Sequence, residues 1–181
     1  MLGAPPSSYT LGMPALGLSP QMSSLLARMS ELASAAPSLD DLEKGIVDAL
    51  AGQLPYCNWT GFYMLDPCDS QTLVLGYFAG EPTPHVRIPV AQGICGAAVA
   101  LGQTVVVDDV NADPRYLSCS IKTKSEIVVP IYANGKIVGE IDIDSHTPAA
   151  FTAIDRKFLE EAARIVGSYM EKRPITSPCI P

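Results

Sequence analysis

Residues 127–145 have the sequence IVVPIYANGKIVGEIDIDS, and this stretch decides the fold of the chain. Two β-rich runs, at residues 126–133 and 136–143, flank the dipeptide Asn134-Gly135. Asn-Gly is the preferred pair for a tight two-residue turn, because both of its positions tolerate a positive φ. The stretch therefore predicts an antiparallel β-hairpin near the end of the chain.

Further strands and helices are expected on both sides of this hairpin. Runs of β-branched and aromatic residues predict strands over residues 59–65, 72–78, 86–90 and 104–107. Apolar residues at helical spacing predict a helix opened by Ser19-Pro20, one opened by Ser38, a short one over 93–101 and a final one capped by Thr152. The polar segment 109–124 has no clear element of its own, and connections of that length are often functional.

This order of elements predicts an α+β fold. We expect a central, mainly antiparallel sheet of about six strands, with the N- and C-terminal helices packed on it. Pro, Gly and Ser enrichment without periodicity predicts a flexible tail over residues 1–19, and a second tail follows at 174–181. Residues 20–173 then form one domain.

Charge and composition exclude several classes of protein. The 181 residues carry a formal net charge of −7, which argues against nucleic acid and anionic membrane as partners. No apolar run approaches the roughly 20 residues that a membrane-spanning helix needs. The N-terminus has no cationic leader, because the first basic residue is Arg28, so a cytoplasmic location is expected.

The five cysteines do not follow a known metal or cofactor pattern. They are scattered without a Cys-x-x-Cys pair, and the chain has only two histidines, His85 and His146. A structural zinc site is therefore not expected, and no phosphate-binding or dinucleotide fingerprint is present. In a reducing compartment the cysteines should mostly be thiols, and we expect Cys57, Cys68 and Cys179 to be incidental.

Cys95 and Cys119 are the candidate reactive thiols. Cys95 lies between glycines at the start of the predicted helix 93–101, where the helix dipole favours an anion. Cys119 lies on the long polar segment, whose cationic residues are Arg115, Lys122 and Lys124. The alternative for Cys95 is a small buried apolar residue, the usual fate of a free cysteine.

Three acidic residues are candidates for a shared pocket. Asp142 and Asp144 are two positions apart on a predicted strand, so they point to one face, and Glu126 on the preceding strand can reach it. Crowded carboxylates repel one another, so one of them should keep its proton near neutrality. Such a group can donate a proton, and the remaining charge suits an ammonium group. The alternative is a solvated strand face.

Five stretches in order resemble the GAF domain, and within it the free methionine-(R)-sulfoxide reductases. They are Asn58-Trp59-Thr60-Gly61-Phe62-Tyr63, Val86-Arg87-Ile88-Pro89-Val90, Gly93-Ile94-Cys95-Gly96, Ser125-Glu126-Ile127-Val128-Val129-Pro130 and Ile141-Asp142-Ile143-Asp144-Ser145. The resemblance covers roughly residues 21–172. Each stretch alone is weak, but all five at the expected separations are specific.

The resemblance implies an enzyme with a small closed pocket. It implies redox roles for Cys95 and Cys119, and substrate-binding roles for Trp59, Tyr63, Glu126, Asp142 and Asp144. A thiolate would attack the sulfoxide sulfur of free methionine-(R)-sulfoxide, and a sulfenic acid and then an intramolecular disulfide would follow. Thioredoxin would be the reductant. No cofactor or metal is implied.

One position departs from the family pattern. Family members commonly carry a third cysteine just before the Val86–Val90 stretch, and this chain has His85 there. Cys95 and Cys119 would then complete the cycle alone, or recruit Cys68 or an external thiol. The sequence leaves open which of the two attacks first.

Two other functions are compatible with the same residues. A GAF module that binds a small ligand without catalysis would use the pocket but not the thiols. A thiol redox sensor would use the disulfide as its signal. The apolar terminal helices also favour a homodimer, in which end helices of two chains pair.

Overall fold

The structure is a computed structural model that describes residues 17–118 and 120–173. Its helices are α1 (Pro20–Ala35), α2 (Leu39–Gln53), α3 (Gly93–Leu101) and α4 (Ala153–Lys172). Its strands are β1 (Trp59–Asp66), β2 (Asp69–Ala79), β3 (Arg87–Pro89), β4 (Val105–Val107), β5 (Ser125–Ala133) and β6 (Lys136–Ser145).

The six strands form one sheet in the order β3-β2-β1-β6-β5-β4. Every pair of neighbours is antiparallel, which confirms the predicted α+β fold with an antiparallel sheet. The hairpin formed by β5 and β6 turns at Asn134 and Gly135, whose φ angles are 51° and 72°. Both angles lie in the left-handed region that an Asn-Gly turn supplies at low cost.

One face of the sheet carries the apolar core. Ile141 and Ile143 of β6 are fully buried with Phe62 and Ile127, in a cluster that includes residues of α1, α2 and α4. Ile143 faces Thr60 on β1 and Ile127 on β5, so the central strands meet in register. The opposite face of the sheet is thus left for α3 and the long connection between β4 and β5.

Polar caps set the helix boundaries as predicted. The Ser19 side chain accepts a hydrogen bond from the N–H of Met22, and Ser38 accepts one from Asp41. Thr152 and Asp155 form a reciprocal capping box at the start of α4. These side chains satisfy backbone N–H groups that have no partner inside the first turn of a helix.

Two stretches differ from the sequence-based expectation. The segment 109–124 contains a short 3₁₀ turn, Val110–Ala112, which forms because the Asp109 side chain accepts the N–H of Asn111. Strand β2 begins at Asp69 rather than at residue 72, because Asp69 pairs with Asp66 across the turn from β1. Polar residues join this ladder because pairing to β1 outweighs their weak strand propensity.

The expected tails lie mostly outside the described residues. Of those positions only residues 17–19 are described, and there Leu18 packs against the core while Ser19 caps α1. Among the described helices, none is both long enough and apolar enough to span a bilayer.

The apolar faces of the terminal helices are covered within the chain. α1 packs against α4, and both contribute buried residues to the main core, among them Leu25, Met29, Phe158 and Val166. These stripes therefore need no second chain to be buried. The homodimer remains a prediction.

We expect Glu43 to make stability pH-dependent. This α2 side chain is only 2 % exposed, and its Oε2 accepts the N–H of Tyr77 at 3.0 Å. Burial raises the pKa of Glu43 to about 7 from 4.5, so the folded chain holds this proton more tightly than the unfolded chain. The free energy of unfolding should therefore fall as pH rises between about 5 and 8.

Glu43→Gln should remove this loss, because the amide keeps the acceptor and carries no charge. We expect the variant to gain up to about 3 kcal/mol over the wild type at the upper end of this range. Urea unfolding across the pH series measures the difference. Glu31→Gln on exposed α1 surface is the matched control. Equal pH slopes in Glu43→Gln and wild type would contradict the assignment.

Candidate functional site

The acidic side chains line the sheet face opposite the helical core. Glu140, Asp142 and Asp144 occupy alternate positions on β6, so they share one face. Asp144 lies directly across from Glu126 on β5 and from Trp59 on β1. Each of the four carboxyl side chains belongs to a residue that is at most 5 % exposed. The structure thus brings all three predicted acids into one buried cluster.

Cys95 reaches this cluster from α3. Its Sγ lies 3.4 Å from Asp142 Oδ2 and 3.9 Å from Glu126 Oε1, so the thiol S–H donates towards these carboxyls. The backbone of α3 comes close enough because Gly96 has no side chain: a Cβ there would be 2.7 Å from the carbonyl oxygen of Pro89. The glycine beside Cys95 therefore places its sulfur against β6.

Burial makes these carboxyls weak acids. It raises the pKa of Asp142 to about 7, and it raises the pKa of Glu126, Glu140 and Asp144 well above their usual ranges. Repulsion from neighbouring carboxylates adds to the rise for Glu126, Glu140 and Asp144. Removal from water is the larger cause, whereas the sequence had suggested repulsion. The carboxyls of this cluster therefore keep their protons to a higher pH than exposed carboxyls do.

The expectation that the helix dipole makes Cys95 a ready thiolate is wrong. Burial raises the pKa of Cys95 well above its usual value, and the charge of Asp142 raises it further. A helix terminus stabilises an anion by at most about 2 kcal/mol, which cannot offset full desolvation among acids. In this state Cys95 is a protonated hydrogen-bond donor.

Glu140 is the site residue that sequence reasoning missed. It is fully buried, and neither of its carboxyl oxygens has a hydrogen-bond partner among the described residues. Extending the alternation of Asp142 and Asp144 back by two positions would have placed Glu140 on the same face. Glu140 precedes the Asp-Ile-Asp run, so the predicted set of acids ends one strand repeat short of it.

Aromatic rings line the β1 side of the site. The Trp59 ring stacks on Phe78, with centroids 5.5 Å apart, and on Tyr63, with centroids 6.2 Å apart. A hydrogen bond holds each of these two rings in place. Trp59 Nε1 donates to the Glu81 carbonyl at 3.0 Å, and the Tyr63 hydroxyl donates to the His85 carbonyl at 2.8 Å. The rings are therefore held rigidly beside the acids.

Cys119 lies outside the described residues, but its neighbours in sequence are described. His85 Nε2 lies 3.3 Å from the carbonyl oxygen of Ser118. The histidine, which precedes β3 by two residues, therefore contacts the segment that carries Cys119. Of the cations expected to favour a Cys119 thiolate, Arg115 pairs with Asp113 and Lys122 pairs with Glu81. Their charge is thus already partly neutralised. The role of Cys119 remains a prediction.

The other described cysteines are remote from the acids. Cys57 is buried in the helical core, where removal from water raises its pKa to about 12. Cys68 lies in the turn between β1 and β2 and is disulfide-bonded, so it is not the free thiol we expected. Cys179 lies outside the described residues.

The fold also creates a set of metal-ligand donors. Cys95, Glu126 and Asp142 each present one donor atom, and these atoms lie within 4.8 Å of one another. The expectation of no metal site came from the spacing of Cys and His along the sequence. These three donors belong to α3, β5 and β6, so their approach is a property of the tertiary structure.

Comparison with known proteins identifies relatives over most of this fold. The GAF domain family model matches residues 38–170. Protein YtsP of Bacillus subtilis is 48 % identical over 110 residues, which cover 61 % of this chain and 66 % of that protein. A yeast (Saccharomyces cerevisiae) protein named free methionine-R-sulfoxide reductase is 42 % identical over 110 residues, which cover 60 % of this chain and 61 % of the relative. The chain thus matches less than two thirds of the length of these curated relatives.

A solved structure is similar over nearly its whole length. It is the free methionine-R-sulfoxide reductase of Neisseria meningitidis in complex with its substrate, at 30 % identity and a TM-score of 0.80. The match covers 93 % of this chain and 99 % of that one. The resemblance found in the sequence is confirmed.

We expect Gly61→Ala to displace the Trp59 ring. A Cβ at Gly61 would lie 2.5 Å from Trp59 Cη2 and 2.9 Å from Phe78 Cβ, so the indole must move. Overpacking of this kind should cost about 1–3 kcal/mol of stability. Because Trp59 is the chain's single tryptophan, its emission maximum reports the displacement directly.

Gly52→Ala is the control for this substitution. Gly52 is exposed near the end of α2, and nothing lies within 4 Å of a Cβ built there. It should leave the emission unchanged and stabilise α2 by up to about 1 kcal/mol. If Gly61→Ala behaved like Gly52→Ala in both measurements, the ring would not lie over Gly61.

Proposed function

Because this chain belongs to the GAF domain family, in the branch of the free methionine-R-sulfoxide reductases, we propose that it reduces free methionine-(R)-sulfoxide to methionine with its own thiols. The contact that carries this proposal is the Cys95 S–H directed at Asp142 Oδ2, 3.4 Å away in a buried acidic cluster. Closing a disulfide after sulfoxide reduction needs a thiol beside a group that can take its proton, and this contact supplies both.

The surroundings of the thiol suit a free amino acid. Glu126, Asp142 and Asp144 would receive the α-ammonium group, whose positive charge favours release of the protons that these buried carboxyls hold. The stacked rings of Trp59 and Tyr63 would contact the apolar end of the side chain. A methionine sulfoxide within a protein has no free ammonium group, so recognition of this kind selects the free amino acid.

The proposed reaction consumes two thiols and releases one water. A thiolate attacks the sulfoxide sulfur, a carboxyl proton goes to the departing oxygen, and methionine leaves while the cysteine becomes a sulfenic acid. The second thiol then displaces water from the sulfenic acid and forms a disulfide. Sulfur in the substrate is reduced by two electrons, and the two cysteines are oxidised by two.

We assign the attack to Cys119 and the resolving step to Cys95. Cys95 is 7 % exposed and keeps its proton, because burial and the neighbouring acids raise its pKa. A protonated thiol is a poor nucleophile at sulfur. When a sulfenic acid has formed on Cys119, transfer of the Cys95 proton to Asp142, 3.4 Å away, would produce the thiolate that attacks it. The geometry of the acids thus favours a late role for Cys95.

Recycling of the disulfide is assigned to a thioredoxin-type dithiol. Such a reductant opens a disulfide by exchange and is found in reducing compartments, which agrees with the expected cytoplasmic location. A non-catalytic ligand-binding module or a redox sensor would show no repeated turnover with this reductant.

Kinetic experiments on the two serine variants should distinguish the roles of the two thiols. With racemic free methionine sulfoxide, wild type and a dithiol reductant should consume the R form only, as chiral analysis of the remainder shows. Cys119→Ser should lose methionine formation by about 10³-fold or more, because the nucleophile is gone. After reduction and removal of the reductant, Cys95→Ser should release one methionine per chain and leave a sulfenic acid on Cys119 that dimedone traps, whereas wild type should form the disulfide.

Cys57→Ser is the matched control, since Cys57 is also buried and free but lies in the helical core. It should turn over like wild type. A methionine burst from Cys119→Ser with none from Cys95→Ser would reverse the assigned order. Normal turnover by both would remove the thiols from the reaction.

The acids should control affinity for the ammonium group. Asp144→Asn and Glu126→Gln each remove one carboxylate while keeping the shape of the side chain. We expect KM for the R-sulfoxide to rise about 30–100-fold, which corresponds to loss of a charge-assisted contact of about 2–3 kcal/mol. Steady-state kinetics measures this, with Glu31→Gln as the control. An unchanged KM in both variants would place the ammonium group elsewhere.

A further inference from the structure

We propose that Cys95, Glu126 and Asp142 bind a zinc-like divalent cation, and that the cation and the substrate exclude one another. The first half of this proposal stands on the geometry of the donors alone. The second half rests on the proposed function, because it requires that substrate occupy the same cluster.

The donor spacing fits a small thiophilic ion. Zinc lies about 2.3 Å from sulfur and about 2.0–2.2 Å from carboxylate oxygen, so two donors on a tetrahedral ion are separated by about 3.3–3.6 Å. Cys95 Sγ lies 3.4 Å from Asp142 Oδ2 and 3.9 Å from Glu126 Oε1. All three donor atoms lie within 4.8 Å of one another. Both sulfur–oxygen separations are therefore within a few tenths of an ångström of the tetrahedral values.

A separate observation concerns three carboxyl oxygens of the same cluster. Both carboxyl oxygens of Glu140 and the Oδ1 of Asp142 are buried without a hydrogen-bond partner among the described residues. Glu140 is not one of the three donors, but it lies on the same face of β6, two positions from Asp142. Buried carboxyl oxygens without partners are costly, and a cation beside them removes that cost.

The donor set selects the kind of metal. One sulfur with two carboxylates suits zinc or cadmium, whereas magnesium and calcium require oxygen ligands and larger coordination numbers. When the ion binds, the Cys95 S–H bond breaks, the sulfur bonds to the metal and the proton goes to solvent. No electron is transferred. Cys95 coordinated in this way cannot resolve a sulfenic acid.

Cadmium is the direct probe, because a cadmium–thiolate bond gives a charge-transfer absorption in the ultraviolet. The full chain is used with Cys68→Ser and Cys179→Ser, so the remaining thiols are Cys57, Cys95 and Cys119. CdCl₂ is titrated into this protein under reducing, chelator-free conditions without substrate. We expect one cadmium per chain, displaced by ZnCl₂ and unaffected by millimolar MgCl₂ or CaCl₂.

Three further substitutions test the donors in this background. Cys95→Ser should abolish the absorption, and Asp142→Asn and Glu126→Gln should each weaken cadmium binding at least tenfold. Cys57→Ser and Cys119→Ser should bind like the parent. Circular dichroism confirms that each variant is folded. Unchanged affinity in Cys95→Ser or in both carboxyl variants would overturn the site, and so would loss of binding in Cys119→Ser.

Activity is measured separately, so that the two proposals fail separately. If the site is right, zinc should inhibit turnover competitively with the R-sulfoxide, and a chelator should restore it. Cadmium binding in a chain that never reduces the sulfoxide would overturn the proposed function and keep the metal site. Turnover that is insensitive to zinc, in a chain that binds cadmium through Cys95, would overturn the mutual exclusion.

Discussion

The burial of four carboxyl groups on one face of β6 and β5 is the constraint on which the rest of the structure depends. Charged groups of this kind cost several kcal/mol each when they leave water unpaired. The chain tolerates Glu126, Glu140, Asp142 and Asp144 there because they hold protons, as the raised pKa values of all four indicate. A positive charge placed beside these carboxyls would stabilise their ionised form and release their protons. A substrate ammonium group or a metal ion would satisfy the same need.

Apolar burial on the opposite face of β6 offsets the cost of burying the acids. Ile141 and Ile143 alternate with the acids and are fully buried against the helices. A slip of one residue between β5 and β6 would exchange the two faces, placing isoleucines in the pocket and carboxyls in the core. The Asn134-Gly135 turn and the register shift between Ile131 and Tyr132 together set the pairing that prevents it. The register of β5 and β6 therefore determines both the apolar core and the acidic site.

The position of Cys95 shows how backbone shape sets chemistry. Gly96 lets α3 approach the β3 backbone closely, and this approach directs the thiol into the acids rather than into solvent. The same approach suppresses ionisation of the thiol. An exposed cysteine at a helix terminus would be reactive at once, whereas this one depends on what enters the pocket. The reactivity of Cys95 is therefore conditional on its partners.

Local structure could be predicted from the amino-acid sequence: the hairpin, the helix caps at Ser19, Ser38 and Thr152, and the shared face of Asp142 and Asp144. Short-range rules of period, turn chemistry and capping are sufficient for these features. The contact of Cys95 with Asp142, the burial of Glu140 beside the other acids and the raised pKa of the thiol arise from packing of the folded chain. Those outcomes depend on distance and burial between α3, β5 and β6, which lie far apart along the chain. Desolvation is a property of the packed surroundings, so no local pattern reveals its size.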